Sequence, residues 1–262
     1  MKRLYFCGGA FGSAYYIGVL DALHERQIRP KYVYGNSAGA LFALLCLLEM
    51  PTDAISELFN ETIDNTVQKI RGNPLDISSY QLTEPNLRIA EAVGKRYPRA
   101  YKVANGRLHI GITKETSGFA WKNTFTSNRE LFHTLLCSYN APLICNYYAE
   151  TDNEKCVDGC IGFDMQRHLP KNCFTVGSNN SQCILNGKIP IHHCFLPPPK
   201  AKYEQYVKQG YTDFLHHSLE KCEGVEDMTT HMSTIASDIL IWLYKQQLKI
   251  NTVYTRNDLI CS

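Results

Sequence analysis

Apolar and polar positions switch between two periods along the first part of the chain. Leu4-Tyr5-Phe6 is a short apolar run that ends in the small residues of Cys7-Gly8-Gly9-Ala10-Phe11-Gly12. From Ala14 to about Arg26 the spacing becomes helical, with Ile17, Leu20, Ala22 and Leu23 apolar and Asp21, His24, Glu25 and Arg26 polar. The same order of elements then recurs. Lys31-Tyr32-Val33-Tyr34 is β-branched and aromatic and predicts a strand, and Ala38 to Met50 is a strong helix former. Strand, glycine-bearing turn and helix, met twice, predict an α/β fold with parallel strands.

Later segments continue the pattern. Leu108 to Thr113 predicts a strand, Arg129 to Tyr139 a helix, and Ala141-Pro142-Leu143-Ile144 the entry to another strand. Glu150 to Lys155 reads as a polar, hairpin-like turn, and Cys173-Phe174-Thr175-Val176 as a strand. Pro197-Pro198-Pro199 interrupts the pattern before a helix expected from about Lys202 to Glu220. Residues 228–248 predict a final amphipathic helix, with Ile235, Ile239, Leu240, Trp242 and Leu243 on its apolar side. Packing on the core is the favoured role for that helix, and a membrane-surface helix presenting Trp242 and Tyr244 is the alternative.

The chemistry is concentrated in the turns. Gly35-Asn36-Ser37-Ala38-Gly39 is a Gly-x-Ser-x-Gly pentapeptide set between a predicted strand and a predicted helix. A chain that leaves a strand straight into a helix turns sharply, and Gly35 and Gly39 remove the side chains that would clash there. The Ser37 hydroxyl then projects at a helix N-terminus, where unpaired N–H groups favour negative charge. The earlier turn, Gly8-Gly9-Ala10, is small enough for backbone N–H groups to face a ligand oxygen, as an oxyanion hole requires. A nucleotide loop is the rival reading. The spacing of Gly8, Gly9 and Gly12 does not fit Gly-x-Gly-x-x-Gly, and no Gly-Lys-Ser/Thr ending follows. A third motif, Val157-Asp158-Gly159-Cys160, places an acidic residue before a glycine.

These three motifs, in this order, resemble the patatin-like phospholipase family. Its members carry a glycine-rich oxyanion turn, a Gly-x-Ser-x-Gly elbow and a late Asp-Gly-Gly or Asp-Gly-Ala motif. Tyr15 to Leu23 is similar to the family's first helix, and Gly210-Tyr211-Thr212-Asp213 resembles a glycine-tyrosine helix start found late in it. The resemblance covers about residues 3–219. Two departures stand out: Phe11-Gly12-Ser13 lies where many members have an Arg and then a Gly, and Cys160 replaces Gly or Ala.

The resemblance implies a three-layer α/β/α sandwich of patatin type around a central, mostly parallel sheet. It implies one patatin-like domain over residues 1–262, with the motifs in about 3–219 and a helical extension over about 225–262. It further implies a serine lipid acyl hydrolase of phospholipase A or acylglycerol lipase type. Ser37 would be the nucleophile and Asp158 its only general base, with Gly8, Gly9 and Ala10 forming the oxyanion hole. Gly35, Gly39 and Gly159 would support the motifs. No cofactor and no metal are implied. The partners are a phospholipid or acylglycerol substrate and a peripheral contact with a membrane or lipid-droplet surface. The segment from Asp64 to Arg99, with prolines at 74, 85 and 98, is a candidate lid or acyl-groove wall. Two alternatives remain open: a catalytically weak lipid-binding pseudoenzyme, and an α/β-hydrolase esterase whose triad takes its histidine from His216, His217 or His231.

Composition narrows the choice further. The 262 residues carry a formal net charge of +2, and no polybasic run is present, which argues against a nucleic-acid partner. The longest apolar run, Ala38 to Leu48, is about half of the ~20 residues a membrane span needs. Met1-Lys2-Arg3 mimics a signal peptide, but its removal would destroy the glycine turn, so a cytoplasmic chain is expected. The 11 cysteines then read as reduced thiols. Seven of them lie between Cys137 and Cys194, beside His192 and His193, without the paired Cys-x-x-Cys of a structural zinc site. The 16 tyrosines are expected mainly in the core, with an acyl groove as the lesser use.

Overall fold

The structure is a computed structural model that describes residues 1–72, 83–141, 145 and 149–220. The expected helix over 228–248, the C-terminal extension and the strand entry at 142–144 lie outside the described residues.

The first two units form as their patterns predict. Strand β1 (Arg3–Phe6) leads through a single 3₁₀ turn (Ala10–Ser13) into helix α1 (Ala14–Glu25). Strand β2 (Tyr32–Asn36) leads through Ser37 into α2 (Ala38–Leu47). Two long helices follow, α3 (Thr52–Gly72) and α4 (Thr83–Arg96), then the short α5 (Ala100–Ala104). Strands β3 (Leu108–Lys114) and β4 (Gly118–Lys122) make a hairpin, and α6 (Asn128–Ser138) comes next. Strands β5 (Glu150–Thr151) and β6 (Glu154–Val157) form a second hairpin at the expected polar turn, where Asp152 and Asn153 both adopt positive φ. The remainder is α7 (Met165–His168), β7 (Phe174–Gly177), β8 (Leu185–Asn186), α8 (Ile191–Phe195) and α9 (Lys200–Glu220).

Among the described residues the strands make one sheet in the order β5-β6-β3-β2-β1-β7-β8, with β4 paired to β3. Strands β3, β2, β1, β7 and β8 run parallel, so the sheet is mostly parallel, and β4, β5 and β6 add an antiparallel flank. The register at β3 decides where the chemistry sits. β4 occupies one edge of β3 from Ile110 to Lys114. β2 and β6 must therefore share the other edge, with Asn36 opposite Gly111 and Val157 opposite Thr113. The residues that follow, Ser37 and Asp158, both arrive at the level of Ile112 from opposite directions.

Side chains alternate across the strands. On one face Phe6 meets Tyr16 of α1 at 5.3 Å and Phe42 of α2 at 6.4 Å, and Phe174 meets Phe214 of α9 at 5.9 Å. On the other face Tyr5 stacks on Phe163 at 5.4 Å, and Trp121 and Tyr34 extend this aromatic layer over the short helix α7. Tyr5, Tyr15 and Tyr16 are fully buried, which puts much of the aromatic content in the core.

One expectation needs correction. Gly210-Tyr211 does not start a helix; it lies in the middle of α9. A Cβ on Gly210 would lie 1.9 Å from the carbonyl oxygen of Tyr15, and one on Gly18 would lie 1.8 Å from that of Val207. The glycines are there because α1 and α9 cross backbone to backbone.

Candidate active site

Ser37 caps α2 in a conformation that side chains seldom adopt, with φ 52° and ψ −135°. Such a conformation costs on the order of 1–3 kcal/mol. Burying one Leu or Phe contributes about 1.5–3 kcal/mol. α2 buries Leu41, Phe42, Leu44, Leu45 and Leu47, so the packing of this helix far outweighs the strain of its first turn. The flanking glycines have a direct steric cause. A Cβ on Gly39 would lie 2.2 Å from the Phe6 carbonyl oxygen, and one on Gly35 would lie 2.3 Å from that of Gly39.

The strained turn is held from α6. The Ser37 N–H donates to the Ser138 hydroxyl at 2.9 Å, and that hydroxyl donates to the Gly111 carbonyl at 2.7 Å. The Ser138 carbonyl in turn accepts from the Gly159 N–H at 2.8 Å. Ser138 is fully buried and ties the serine turn, the central strand β3 and the aspartate turn together. Sequence reasoning missed it. Its one signal was a small polar residue at the buried end of an amphipathic helix.

Asp158 follows β6 on a turn fixed by its own hydrogen bonds. Its N–H donates to the Asn140 carbonyl at 3.0 Å, and the Thr113 hydroxyl donates to the Ile161 carbonyl. Its carboxylate accepts from the Cys160 N–H at 2.8 Å, and the Ser37 hydroxyl and the Cys160 thiol lie beside it and favour its ionised form. Burial raises its pKa above the ordinary 3.8, and these three groups pull the other way. Ser37 and Asp158 therefore lie side by side, close enough for the serine to favour the ionised carboxylate. Neither described candidate histidine joins them. His216 is exposed on α9, and the His217 ring packs on Phe174 at 5.4 Å. Phe174 opens β7, opposite Leu4 of β1, at the end of the sheet away from Ser37. His231 lies outside the described residues.

The glycine turn reaches the same place from β1. A Cβ on Gly8 would lie 2.2 Å from the Cys160 sulfur and 3.1 Å from the Ser37 Cβ, so only a glycine fits between them. The Gly8 N–H lies near the Cys7 and Cys160 sulfurs and favours their ionised forms. Gly9 and Ala10 donate to no backbone carbonyl among the described residues, which leaves their N–H groups open. The turn is pinned from behind by Tyr16, whose hydroxyl donates to the Cys7 carbonyl at 2.8 Å and accepts from the Ser178 N–H at 3.1 Å.

The departure at Cys160 has a physical account. Burial and the neighbouring Asp158 push its thiol well above the ordinary cysteine range, so it stays protonated beside the carboxylate. Cys7 moves the other way, because the Cys183 thiol and the Asn180 amide donate to its sulfur. All nine described cysteines are free. Among the described residues no group of three or more His, Cys, Asp or Glu is placed to hold a metal ion.

A cleft opens at Ser37. Ala10 and Phe11 of the 3₁₀ turn, Leu41 of α2, Phe59 and Ile63 of α3 and Ile89 of α4 line it, with Tyr139 beyond them. Its wall is apolar, and α3 and α4 supply much of it. Of the segment singled out as a lid or groove wall, Pro85, Asn86 and Ile89 line the cleft, while the α3 residues that line it, Phe59 and Ile63, precede Asp64.

The match to known sequences is decisive at this point. Residues 4–164 match the model of the patatin-like phospholipase family. The chain belongs to the patatin-like phospholipase family. At the general level this is a family of lipid acyl hydrolases and transacylases. The chain is also 25% identical over 239 residues to an omega-hydroxyceramide transacylase of Mus musculus, covering 79% of this chain and 39% of that protein. It is 25% identical over 242 residues to the omega-hydroxyceramide transacylase of Homo sapiens, covering 79% and 44% respectively. The chain thus spans well under half the length of these relatives. Among solved structures, VipD from Legionella pneumophila aligns with a TM-score of 0.40 at 11% identity, over 83% of this chain and 67% of that one. No helix among the described residues is long and apolar enough to cross a membrane.

Proposed function

We propose that this member of the family cleaves fatty acyl esters of lipids through a Ser37–Asp158 dyad. The observation that carries the reading is the Ser37 side chain set beside the buried Asp158 carboxylate, with Ser37 itself lining an apolar cleft.

In this mechanism an acyl chain lies along Leu41, Phe59, Ile63 and Ile89, with its carbonyl carbon at the Ser37 hydroxyl. Ser37 Oγ attacks that carbon as its proton passes to Asp158, whose burial makes it a stronger base than a free carboxylate. The oxygen that gains negative charge faces the open N–H groups of Gly9 and Ala10, with Gly8 shaping the turn beside them. The C–O bond to the leaving alcohol breaks, and Asp158 returns the proton to that alcohol. An acyl-Ser37 ester remains. A water molecule, deprotonated by Asp158, then attacks it. The fatty acid leaves, and the proton goes back to the Ser37 oxygen.

Acyl transfer is the second reading. It is favoured by the two relatives whose names describe transacylases. The first half-reaction is unchanged, and a lipid hydroxyl takes the place of water in the second.

The test is product analysis with defined phospholipids and acylglycerols, with and without a lipid alcohol as acceptor, comparing wild type with Ser37→Ala. Release of free fatty acid by the wild type alone supports hydrolysis, and a new ester formed at its expense supports transfer. Equal product from Ser37→Ala would end the dyad reading in both forms.

A further inference from the structure

The large apolar side chains exposed on this protein are not scattered. Among the described residues six stand out, and four of these lie within one stretch of 13 residues: Ile184 at 38% exposed, Ile191 at 54%, Phe195 at 44% and Leu196 at 44%. Single exposed apolar residues are ordinary, and a cluster of this kind marks an interaction surface. The stretch around them, from Ile184 to Tyr203, contains Lys188, Lys200, Lys202, His192 and His193 and not one acidic residue. Exposed apolar side chains flanked along the chain by basic residues fit an anionic lipid surface.

The platform is rigid and lies beside the cleft. β8 runs parallel to β1, so the chain leaves it at the same end of the sheet as Ser37. α8 then packs on the 3₁₀ turn that carries Ala10 and Phe11 of the cleft. Cys194 is buried between them, and the His193 ring is hydrogen-bonded to the Tyr206 hydroxyl at 2.6 Å. Ile191 and Phe195 of the same short helix are exposed.

We infer that α8 and its flanks are the surface on which the protein docks to a lipid layer, so that the cleft mouth meets substrate at that layer. The inference deepens the lipid-ester reading and rests on it. Ile191, Phe195 and Leu196 insert among the acyl chains near the headgroups, and Lys188, Lys200 and Lys202 face anionic headgroups.

The experiment is co-sedimentation of the full chain with phosphatidylcholine vesicles, with and without phosphatidylserine. The variants are an Ile191→Ser, Phe195→Ser, Leu196→Ser triple and a Lys188→Glu, Lys200→Glu, Lys202→Glu triple. The apolar triple is expected to lose on the order of tenfold to a hundredfold in binding to both vesicles. The lysine triple is expected to lose the gain due to phosphatidylserine and keep the rest. Cleavage of a soluble short-chain ester and labelling of Ser37 by a fluorophosphonate are expected to stay at wild-type levels in both. Wild-type vesicle binding by both variants, or no binding by the wild type, overturns the surface. Recovery of the patch in a stable protein–protein complex without vesicle binding also overturns it. A wild type that binds vesicles but neither cleaves the ester nor labels overturns the dyad reading and leaves the docking surface standing. Should the apolar triple fail to fold, the lysine triple decides the matter by its dependence on phosphatidylserine.

Discussion

The Ser138 hydroxyl accepts the Ser37 N–H at 2.9 Å and so holds the one residue of the elbow whose backbone is strained. The hydroxyl is fully buried, and its own proton goes to Gly111 on the central strand. Without it, the Ser37 N–H is a part-buried donor that has lost its acceptor, at a cost of up to about 1–3 kcal/mol. Ser138→Ala is therefore expected to lower the melting temperature by several degrees, since each kcal/mol shifts a protein of this size by roughly 2–4 °C. Fluorophosphonate labelling of Ser37 should slow about tenfold or more, while KM changes little, because the acyl-binding wall is untouched. A variant with wild-type labelling and stability would show that the elbow stands without this support.

Ser37→Ala and Asp158→Asn should each remove nearly all activity, and the double variant should be little worse than either. Residues that act as one unit are not additive, and losing a serine nucleophile or its base costs about 10⁴–10⁶ in rate. The measurement is turnover of one ester by the three variants and the wild type. Losses that multiply would mean the two residues act in separate steps.

The pH profile follows from the burial of Asp158. Its pKa is raised above 3.8, chiefly by desolvation. The base must be ionised to act, so the acid limb of kcat/KM is expected above the range of a free aspartate. Stability has the opposite sign. Between 3.8 and the raised value the folded protein holds a proton that the unfolded chain has lost, so stability falls as pH rises through that window. Asp158→Asn has no such loss, and its stability relative to wild type should grow across the window and then level off. Cys160→Ala removes a thiol that favours the ionised carboxylate, so its acid limb should move to higher pH. Titration of activity and of denaturant midpoints for the three proteins checks each point. An acid limb at or below 3.8 would contradict the burial argument.

How much of this was legible in the sequence differs by element. The strands at β1, β2, β3 and β7 were readable as short apolar runs bounded by turn residues, α2 as an unbroken, almost wholly buried run of helix formers, and α1 and α6 by polar residues at helical spacing. The site residues Ser37 and Asp158 were readable because their flanking glycines record close backbone contacts that only glycine allows. Strand β4 was not read, since none of its residues is buried and its pattern carries no period-two signal. Nor was the reason that two turns meet. That depends on β2 and β6 sharing one edge of β3, and pairing register is a property of three strands far apart in sequence. Ser138, Tyr16 and Ser178 act through single hydrogen bonds across long sequence separations, which leave no local pattern. Gly210 misled because a family likeness suggested a helix start, while the residue serves a helix crossing.

The oxyanion turn gives the sharpest test of the proposed mechanism, because it has little space behind it. A Cβ on Gly9 would lie 2.4 Å from the Ser178 hydroxyl oxygen and 3.2 Å from the Tyr16 hydroxyl oxygen. Ser178 is 1% exposed and has little room to retreat. Gly9→Ala should therefore push the turn forward and misdirect its N–H groups. Turnover is expected to fall about 10²–10³-fold, the scale of one lost oxyanion donor. Substrate binding should fall much less, because the ground-state carbonyl uses these donors less than the tetrahedral intermediate does. The cause can be checked by removing the obstacle: in Gly9→Ala with Ser178→Gly the added methyl has space, and a large part of the turnover should return. If folded Gly9→Ala keeps full turnover, the Gly9 N–H is not the donor. If it is slow and Ser178→Gly brings no recovery, displacement of the turn is not the reason, and the geometry assigned to the oxyanion hole is wrong.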